Sequence, residues 1–139
     1  MSRAYCGGTF DLFHPGHVRF LEWVKVHFDC VVVALNSDEF ANRYKMKPTQ
    51  SYSERLEMLQ SCRWVDEVIM NVGDEDSRPS ILASKATHIV NGSDWSSREA
   101  LMRQMRLTED FLVGHGLSIV ICPLPRIFST TELKARIRL

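Results

Sequence analysis

The fold of this chain is decided by one stretch near its start, Tyr5-Cys6-Gly7-Gly8-Thr9-Phe10-Asp11-Leu12-Phe13-His14-Pro15-Gly16-His17. Its first two residues close a short apolar run, and the glycine pair then interrupts that run. Proline favours the first position of a helix, and apolar residues recur at helical spacing after this proline. The stretch therefore predicts a strand, a turn and an amphipathic helix.

The predicted turn has the features of an anion-binding site. The spacing predicts His14 at or near the N-cap of the first helix and His17 about one turn later. Unpaired N–H groups and the macrodipole favour an anion at a helix N-terminus. Gly8 would let the backbone approach a phosphate closely, and Thr9 offers a hydroxyl beside it. We therefore interpret the turn as a phosphate site.

Composition limits the class of protein. A chain of 139 residues is expected to form a single domain, 1–139, that buries roughly two-thirds of its unfolded surface. The 17 basic and 17 acidic residues cancel, so net charge gives no case for nucleic acid or an anionic membrane as a partner. No apolar run approaches the ~20 residues of a membrane span, and the start lacks a signal-peptide pattern. These features favour a cytoplasmic protein.

The remaining chain alternates between strand and helix patterns. Apolar, β-branched runs predict one strand that ends at Cys6 and four more that span 30–35, 65–70, 87–90 and 117–122. Three helices are predicted without a capping box: one that begins at Pro15, one over 38–44, and one from Pro79 to about Lys85. Three more are predicted to begin at capping boxes: one from Ser51 to about Cys62, one that begins at 96–99 and carries Leu101 through Leu112, and one from Ser129 through Ile137. The pattern predicts an α/β fold, a doubly wound (Rossmann-like) five-stranded parallel sheet with helices on both faces.

This topology predicts where a ligand would bind. Parallel sheets bind ligands at the carboxyl ends of their strands, near the point where strand order reverses. The segments 7–17, 91–95 and 126–131 all follow strands on that edge, so we expect them to form one site.

Two histidines in a His-x-Gly-His pattern could donate hydrogen bonds to a phosphoryl group as negative charge builds on its oxygens. The alternative is that His14 is only an N-cap and His17 a core residue. A zinc site is a further alternative, although no nearby cysteine or third histidine completes it.

Several basic residues could hold phosphates. Lys47 and Arg126 are candidate clamps, lysine as a mobile point charge and arginine as a bidentate fork. Each could instead be a solvated surface charge, which is our interpretation of Arg43 and Lys45.

Polar residues near the predicted edge complete the set of candidates. The hydroxyls of Ser129-Thr130-Thr131 and the N–H groups of the helix they open could bind phosphate, or form a plain helix cap. Trp95 could pack near a base or sugar, or in the core. Asp11 and Asp94 could orient sugar, backbone or a metal-bound water, or only stabilise turns.

Taken together, these residues resemble those of the cytidylyltransferase-like nucleotidylyltransferases, and among them the glycerol-3-phosphate cytidylyltransferase group. The resemblance covers most of the chain and rests on six segments: Gly8 through His17, Asn36 through Phe40, Lys47 through Arg55, Val65 through Val68, Gly92 through Trp95, and Ser129 through Thr131. Two features depart from the group. Arg126-Ile127-Phe128 is shorter than the group's polar turn before Ser-Thr-Thr, and the link at 96–116 is longer.

The resemblance implies roles for particular residues. Paired histidines stabilise the transferred α-phosphoryl group in this family, while an arginine, a lysine and the Ser-Thr-Thr segment hold phosphates. The implied catalytic residues are His14, His17, Lys47 and Arg126. The implied nucleotide-binding residues are Gly8, Thr9, Phe10, Gly16, Gly92, Asp94, Trp95, Arg126, Ser129, Thr130 and Thr131, and the substrate-binding residues are Asp11, Asp38 and Arg55.

These assignments predict a nucleotidylyltransferase that joins CTP to a phosphorylated alcohol, with glycerol 3-phosphate as the expected acceptor and pyrophosphate as the leaving group. Mg²⁺ is expected with the triphosphate, and the resemblance implies a homodimer. The alternatives are adenylyl transfer from ATP to a phosphorylated cofactor precursor or alcohol phosphate, and a non-catalytic nucleotide-binding module.

Overall fold

A computed structural model describes residues 1–92, 97–125 and 128–137 of the chain. Strands and helices alternate along it in the following order: β1 (Arg3–Gly8), α1 (Pro15–His27), β2 (Cys30–Leu35), α2 (Asp38–Tyr44), α3 (Tyr52–Gln60), β3 (Glu67–Met70), α4 (Arg78–Ser84), β4 (His88–Asn91), α5 (Arg98–Met105), α6 (Glu109–Gly114), β5 (Ser118–Ile121) and α7 (Thr130–Arg136). Each predicted strand is present, with ends that differ from the expected ones by at most two residues.

The strands form one parallel sheet in the order β3-β2-β1-β4-β5. The chain adds strands on one side of β1 and then crosses to the other side to form β4. Strand order therefore reverses between β1 and β4, as in a doubly wound sheet. This confirms the predicted fold class.

The core lies on both faces of the sheet because successive strand residues point in opposite directions. Ala4 and Cys6 of β1 pack with Leu21 of α1 in one apolar cluster. Tyr5, between them, packs with Ile81 of α4 in the other. All six residues of β2 are buried, as expected of a strand covered on both faces.

The helix starts at Ser51 and Ser129 were predicted from their local pattern, and both are capped. Ser51 Oγ accepts from the backbone N–H of Glu54, whose carboxylate accepts from the N–H of Ser51 in return, at 3.2 and 2.9 Å. Ser129 Oγ accepts from the N–H of Glu132 at 3.0 Å. These caps fix the points at which α3 and α7 begin.

The prediction of one continuous helix carrying 101–112 is wrong. Arg106 adopts a left-handed conformation (φ 60°), and its N–H bonds the Met102 carbonyl, which ends α5. Thr108 then caps α6 by accepting from the N–H of Phe111 at 3.1 Å. The apolar spacing continues across the break, which is why periodicity alone suggested a single helix.

Within the described residues, no helix is both long and apolar enough to cross a membrane.

The break at Arg106 gives a stability prediction. Arg106→Gly should raise the free energy of unfolding by up to about 1 kcal/mol, because glycine adopts the left-handed conformation without steric cost. Arg103→Gly, in the exposed helical turn just before it, should lower the same quantity by about 1 kcal/mol. Urea denaturation of the two variants measures both effects, and equal destabilisation by both would contradict the assignment.

Candidate functional site

A cavity of about 580 Å³ opens at the carboxyl ends of the strands, where the strand order reverses. Its described walls come from the turn after β1, the start of α1, the end of α2, the ends of β4 and β5, and the start of α7: Gly7, Gly8, Thr9, Phe10, His14, Gly16, His17, Arg19, Phe20, Tyr44, Lys45, Val90, Asn91, Gly92, Cys122, Leu124, Pro125, Phe128, Ser129, Thr130 and Thr131. The described parts of the three segments that were predicted to form one site therefore line the same cavity.

His14 and His17 are held by the start of α1. His14 is the N-cap, and its Nδ1 accepts from the N–H of Gly16 at 3.0 Å. His17 Nδ1 accepts from the N–H of His14 at 3.2 Å. A ring nitrogen that accepts a hydrogen bond does not carry the proton of a neutral imidazole, so the proton of each neutral ring lies on Nε2. Each neutral ring is thereby fixed as an Nε2–H donor.

The two imidazole rings also stack, with centroids 3.8 Å apart and planes inclined by 25°. Two unit charges about 4 Å apart repel by about 4 kcal/mol at an effective dielectric constant of about 20. The stack therefore disfavours two imidazolium ions and favours a pair in which at least one ring of His14 and His17 is neutral.

Gly16 and Gly8 are required by close packing. A Cβ at Gly16 would lie 2.8 Å from Cε1 of His14 and 3.2 Å from Cβ of Phe128. A Cβ at Gly8 would lie 2.9 Å from the ring of Phe10, which itself has a left-handed backbone (φ 52°). Gly8 was predicted to let the backbone approach a phosphate, and Gly16 to bind the nucleotide; both calls stay predictions. In the structure the two glycines make room for the cavity's own aromatic and imidazole rings.

Thr9 is held from below by a chain of buried amides. Its hydroxyl accepts from Asn36 Nδ2 at 3.1 Å, and Asn36 Oδ1 accepts from Asn71 Nδ2 at 3.0 Å. Ser80 then donates to Asn71 Oδ1 at 2.8 Å. This support was not predicted, because Asn71 and Ser80 are far from Thr9 in sequence and belong to no recognisable motif.

Arg55 is fully buried beneath the site. Its guanidinium donates to the carbonyls of Thr9 and Asn36, both at 2.9 Å, and of Gln50 at 3.2 Å. It also pairs with the carboxylate of Asp38 at 2.7 Å. Neither Arg55 nor Asp38 lines the cavity. These contacts give the pair a positioning role, and its predicted contact with substrate stays a prediction.

Asp11 joins three segments of the site. Its carboxylate accepts from the N–H groups of Thr49 and Gln50 at 2.8 and 3.0 Å and pairs with Lys134 of α7 at 3.2 Å. Its carbonyl accepts from the hydroxyl of Thr130 at 2.9 Å. Burial opposes ionisation, but the two N–H groups and Lys134 outweigh it and hold the pKa of Asp11 below its usual value. Its predicted contact with substrate stays a prediction.

The basic loop after α2 contributes a residue that sequence analysis assigned to solvent. Lys45 lines the cavity together with Tyr44, whereas Lys47 is exposed and does not line it. Both lysines follow α2 closely, and the sequence pattern carried no sign of which would face the cavity. The catalytic role of Lys47 stays a prediction.

The end of β4 contributes Asn91, which begins the predicted segment 91–95 but was not itself among the candidate site residues. Asn91 lines the cavity, and its Oδ1 is buried without a hydrogen-bond partner among the described residues. Gly92, which was predicted, lines the cavity beside it. The predicted residues Asp94, Trp95 and Arg126 lie outside the described residues.

The zinc alternative requires a metal centre built from side chains of the protein. In the described part of the chain, no group of three or more His, Cys, Asp or Glu side chains could hold a metal ion.

Comparisons with known proteins agree on one family for this chain. A family model described as "Cytidylyltransferase-like" matches residues 5–136. The glycerol-3-phosphate cytidylyltransferase of Bacillus subtilis (strain 168) is 34% identical over 137 residues, covering 99% of this chain and 98% of that protein. The bifunctional protein HldE of Hyphomonas neptunium is also 34% identical, over 95% of this chain but only 26% of its own length.

The fold is similar to that of a solved structure. The lipopolysaccharide core biosynthesis protein from Thermoplasma volcanium GSS1 has a TM-score of 0.75 and 25% identity, covering 90% of this chain and 98% of that one.

The contacts of Asp11 give a prediction about stability and pH. Asp11→Asn should lower the free energy of unfolding at pH 7 by about 1.5–3 kcal/mol, the usual contribution of hydrogen bonds to a charged group. The folded-state pKa of Asp11 is depressed, so its carboxylate stabilises the fold above the unfolded value of about 3.9, and this stabilisation is lost as pH falls through the folded-state pKa. The difference between wild type and variant should therefore shrink in acid.

Urea denaturation at pH 7 and at several pH values below about 3.9 measures this difference. Asp110→Asn, an exposed change on α6, serves as the control and should change stability by less than about 0.5 kcal/mol. A deficit in Asp11→Asn that stays constant with pH would contradict the role given to its charge.

Proposed function

The chain belongs to the cytidylyltransferase-like family of nucleotidylyltransferases, and from that premise we propose that it transfers a cytidylyl group from CTP to glycerol 3-phosphate. In this reaction a phosphate oxygen of the acceptor forms a bond to the α-phosphorus of CTP. The bond from that phosphorus to the bridging oxygen of the β-phosphate breaks, and pyrophosphate leaves. The product is CDP-glycerol.

The histidine pair is the observation that carries this proposal. Phosphoryl transfer needs positioned donors for the charge that develops on the phosphoryl oxygens and the leaving group, and it needs no covalent nucleophile. His14 and His17 supply two such donors at the N-terminus of a 13-residue helix, where the dipole also favours negative charge. Their Nδ1 contacts with the backbone hold the rings before a substrate arrives.

The rest of the cavity suits a nucleoside triphosphate. Thr9, Ser129 and Thr130 offer hydroxyls, and Lys45 offers a positive charge. The buried Oδ1 of Asn91 is an acceptor that a ligand donor could satisfy. The choice of CTP and glycerol 3-phosphate rests on the relative from Bacillus subtilis, whose name gives that activity.

We propose that Mg²⁺ enters this cavity with the phosphates of the nucleotide. Magnesium takes oxygen ligands and keeps several waters, and the oxygens of the cavity wall include the hydroxyls of Thr9 and Thr130 and the amide of Asn91. When bound, the ion would neutralise charge on the triphosphate. The described wall contains no carboxylate that would compete with the phosphates for it.

The role of the histidine pair is tested by replacing one member. His17→Ala should lower turnover at least ~100-fold, because it removes a donor to the transition state. Pyrophosphate release measures the rate, and circular dichroism checks that the fold is kept. His27→Ala, at the far end of the same helix, is the matched control and should leave turnover near the wild-type rate. Near-normal turnover in His17→Ala would count decisively against the mechanism.

The substrates are tested by a matrix of four nucleoside triphosphates against phosphorylated alcohols and sugars, read by pyrophosphate release. We expect the highest rate of pyrophosphate release with CTP and glycerol 3-phosphate. A preference for ATP would replace cytidylyl by adenylyl transfer. Nucleotide binding without turnover in any combination would favour a non-catalytic binding module.

We further propose that the protein acts in the cytoplasm and that it forms a homodimer, as the resemblance implies. Light scattering should then give a molar mass twice that of one chain, and the mass of a single chain would refute the dimer.

A further inference from the structure

Charge in the cavity wall is of one sign. The described lining residues include the side chains of Arg19 and Lys45 beside the two histidines, and none of them is an aspartate or glutamate. A wall of this kind attracts anions and offers no internal counter-ion. Lys45 belongs to the basic loop considered above, whereas Arg19 lies in α1 and was not a candidate from the sequence.

Arg19 is held in the wall by an aromatic ring. It lies one helical turn after Gly16, and its guanidinium carbon lies 5.6 Å from the centroid of Phe128. The Phe128 ring centroid lies 6.4 Å from that of His14. A cation–π contact with the face of a ring uses none of the N–H groups of the guanidinium, so these donors can bind a ligand at the cavity.

Most arginines of the described chain are engaged differently. Six of them pair with a carboxylate: Arg3 with Glu67, Arg43 with Asp74, Arg55 with Asp38, Arg78 with Asp76, Arg98 with Glu109, and Arg136 with Glu132. Among the described arginines that have no such partner, Arg19 is the one that lines the cavity. An arginine that has no carboxylate partner and lies in a wall without carboxylates is suited to bidentate recognition of a phosphate.

We propose that Arg19 binds a phosphate group of a substrate, an inference that rests on the proposed nucleotidyl transfer. The phosphate belongs either to the triphosphate of the nucleotide or to the phosphorylated acceptor, and the recognition chemistry is the same for both. Arg19 thus adds a positive charge on the α1 side of the cavity, outside the six segments on which the resemblance rests.

The test compares Arg19→Gln with Arg63→Gln. Arg63 is a matched control, because it is also exposed and stacked on an aromatic ring, 4.4 Å from the centroid of Trp64, but does not line the cavity. Calorimetry measures the binding of CTP, inorganic pyrophosphate, glycerol 3-phosphate and cytidine to each variant and to wild type.

Arg19→Gln should weaken binding about tenfold or more for the ligand whose phosphate it contacts, as expected for the loss of a charge-assisted bidentate contact. Weaker CTP and pyrophosphate binding assigns the contact to the nucleotide, and weaker glycerol 3-phosphate binding assigns it to the acceptor. Cytidine, which has no phosphate, should bind as it does to wild type, and Arg63→Gln should change nothing. Arg19→Lys should recover part of the loss, because it restores the charge without the fork.

Wild-type affinity of Arg19→Gln for every phosphorylated ligand would overturn the proposal, as would an equal loss for cytidine. The same measurements separate this inference from the proposed function. If Arg19→Gln weakens pyrophosphate binding but the wild-type protein turns over no pair of substrates, the proposed transferase activity is refuted and the phosphate contact of Arg19 is kept. Wild-type protein that binds none of the phosphorylated ligands would refute both.

Discussion

The structure of the site depends on one buried charge, the guanidinium of Arg55. It bonds the carbonyls that follow β1 and β2, and that of Gln50 just before α3, at the edge of the sheet where no strand partner exists for them. Burying an unpaired ion is costly, and here carbonyl oxygens and the Asp38 carboxylate compensate the charge. The turn carrying Thr9 is therefore fixed relative to its neighbours before any ligand is present.

Around this charge the site divides into a frame and a lining. The frame comprises Arg55, Asp11 and the Asn36–Asn71 amide chain, whose polar atoms bond mainly to the protein. The lining comprises the imidazoles, hydroxyls and cations that face the cavity. Because the frame satisfies its own polar groups, the lining can present donors that a folded protein would otherwise have to pair internally.

Patterns that depend on neighbouring residues were predicted from the sequence. Strand runs, the caps at Ser51 and Ser129, and the N-cap position of His14 all follow from local chemistry. Contacts between distant segments could not be predicted in this way: the buried role of Arg55 depends on where three loops meet, and the position of Lys45 in the cavity wall depends on the path of one loop. The break at Arg106 was missed because the apolar spacing continues through it.

The hydrogen bond from Thr130 to Asp11 joins residues 119 positions apart. Closing so long a loop adds little to the thermodynamic cost, since loop entropy grows only with the logarithm of length, but contacts of long sequence separation slow folding. A ribosome delivers the histidine pair first and α7 more than a hundred residues later. The residues of the anion-facing helix are therefore synthesised long before those of the opposite wall, and the cavity is completed only when α7 reaches the turn after β1.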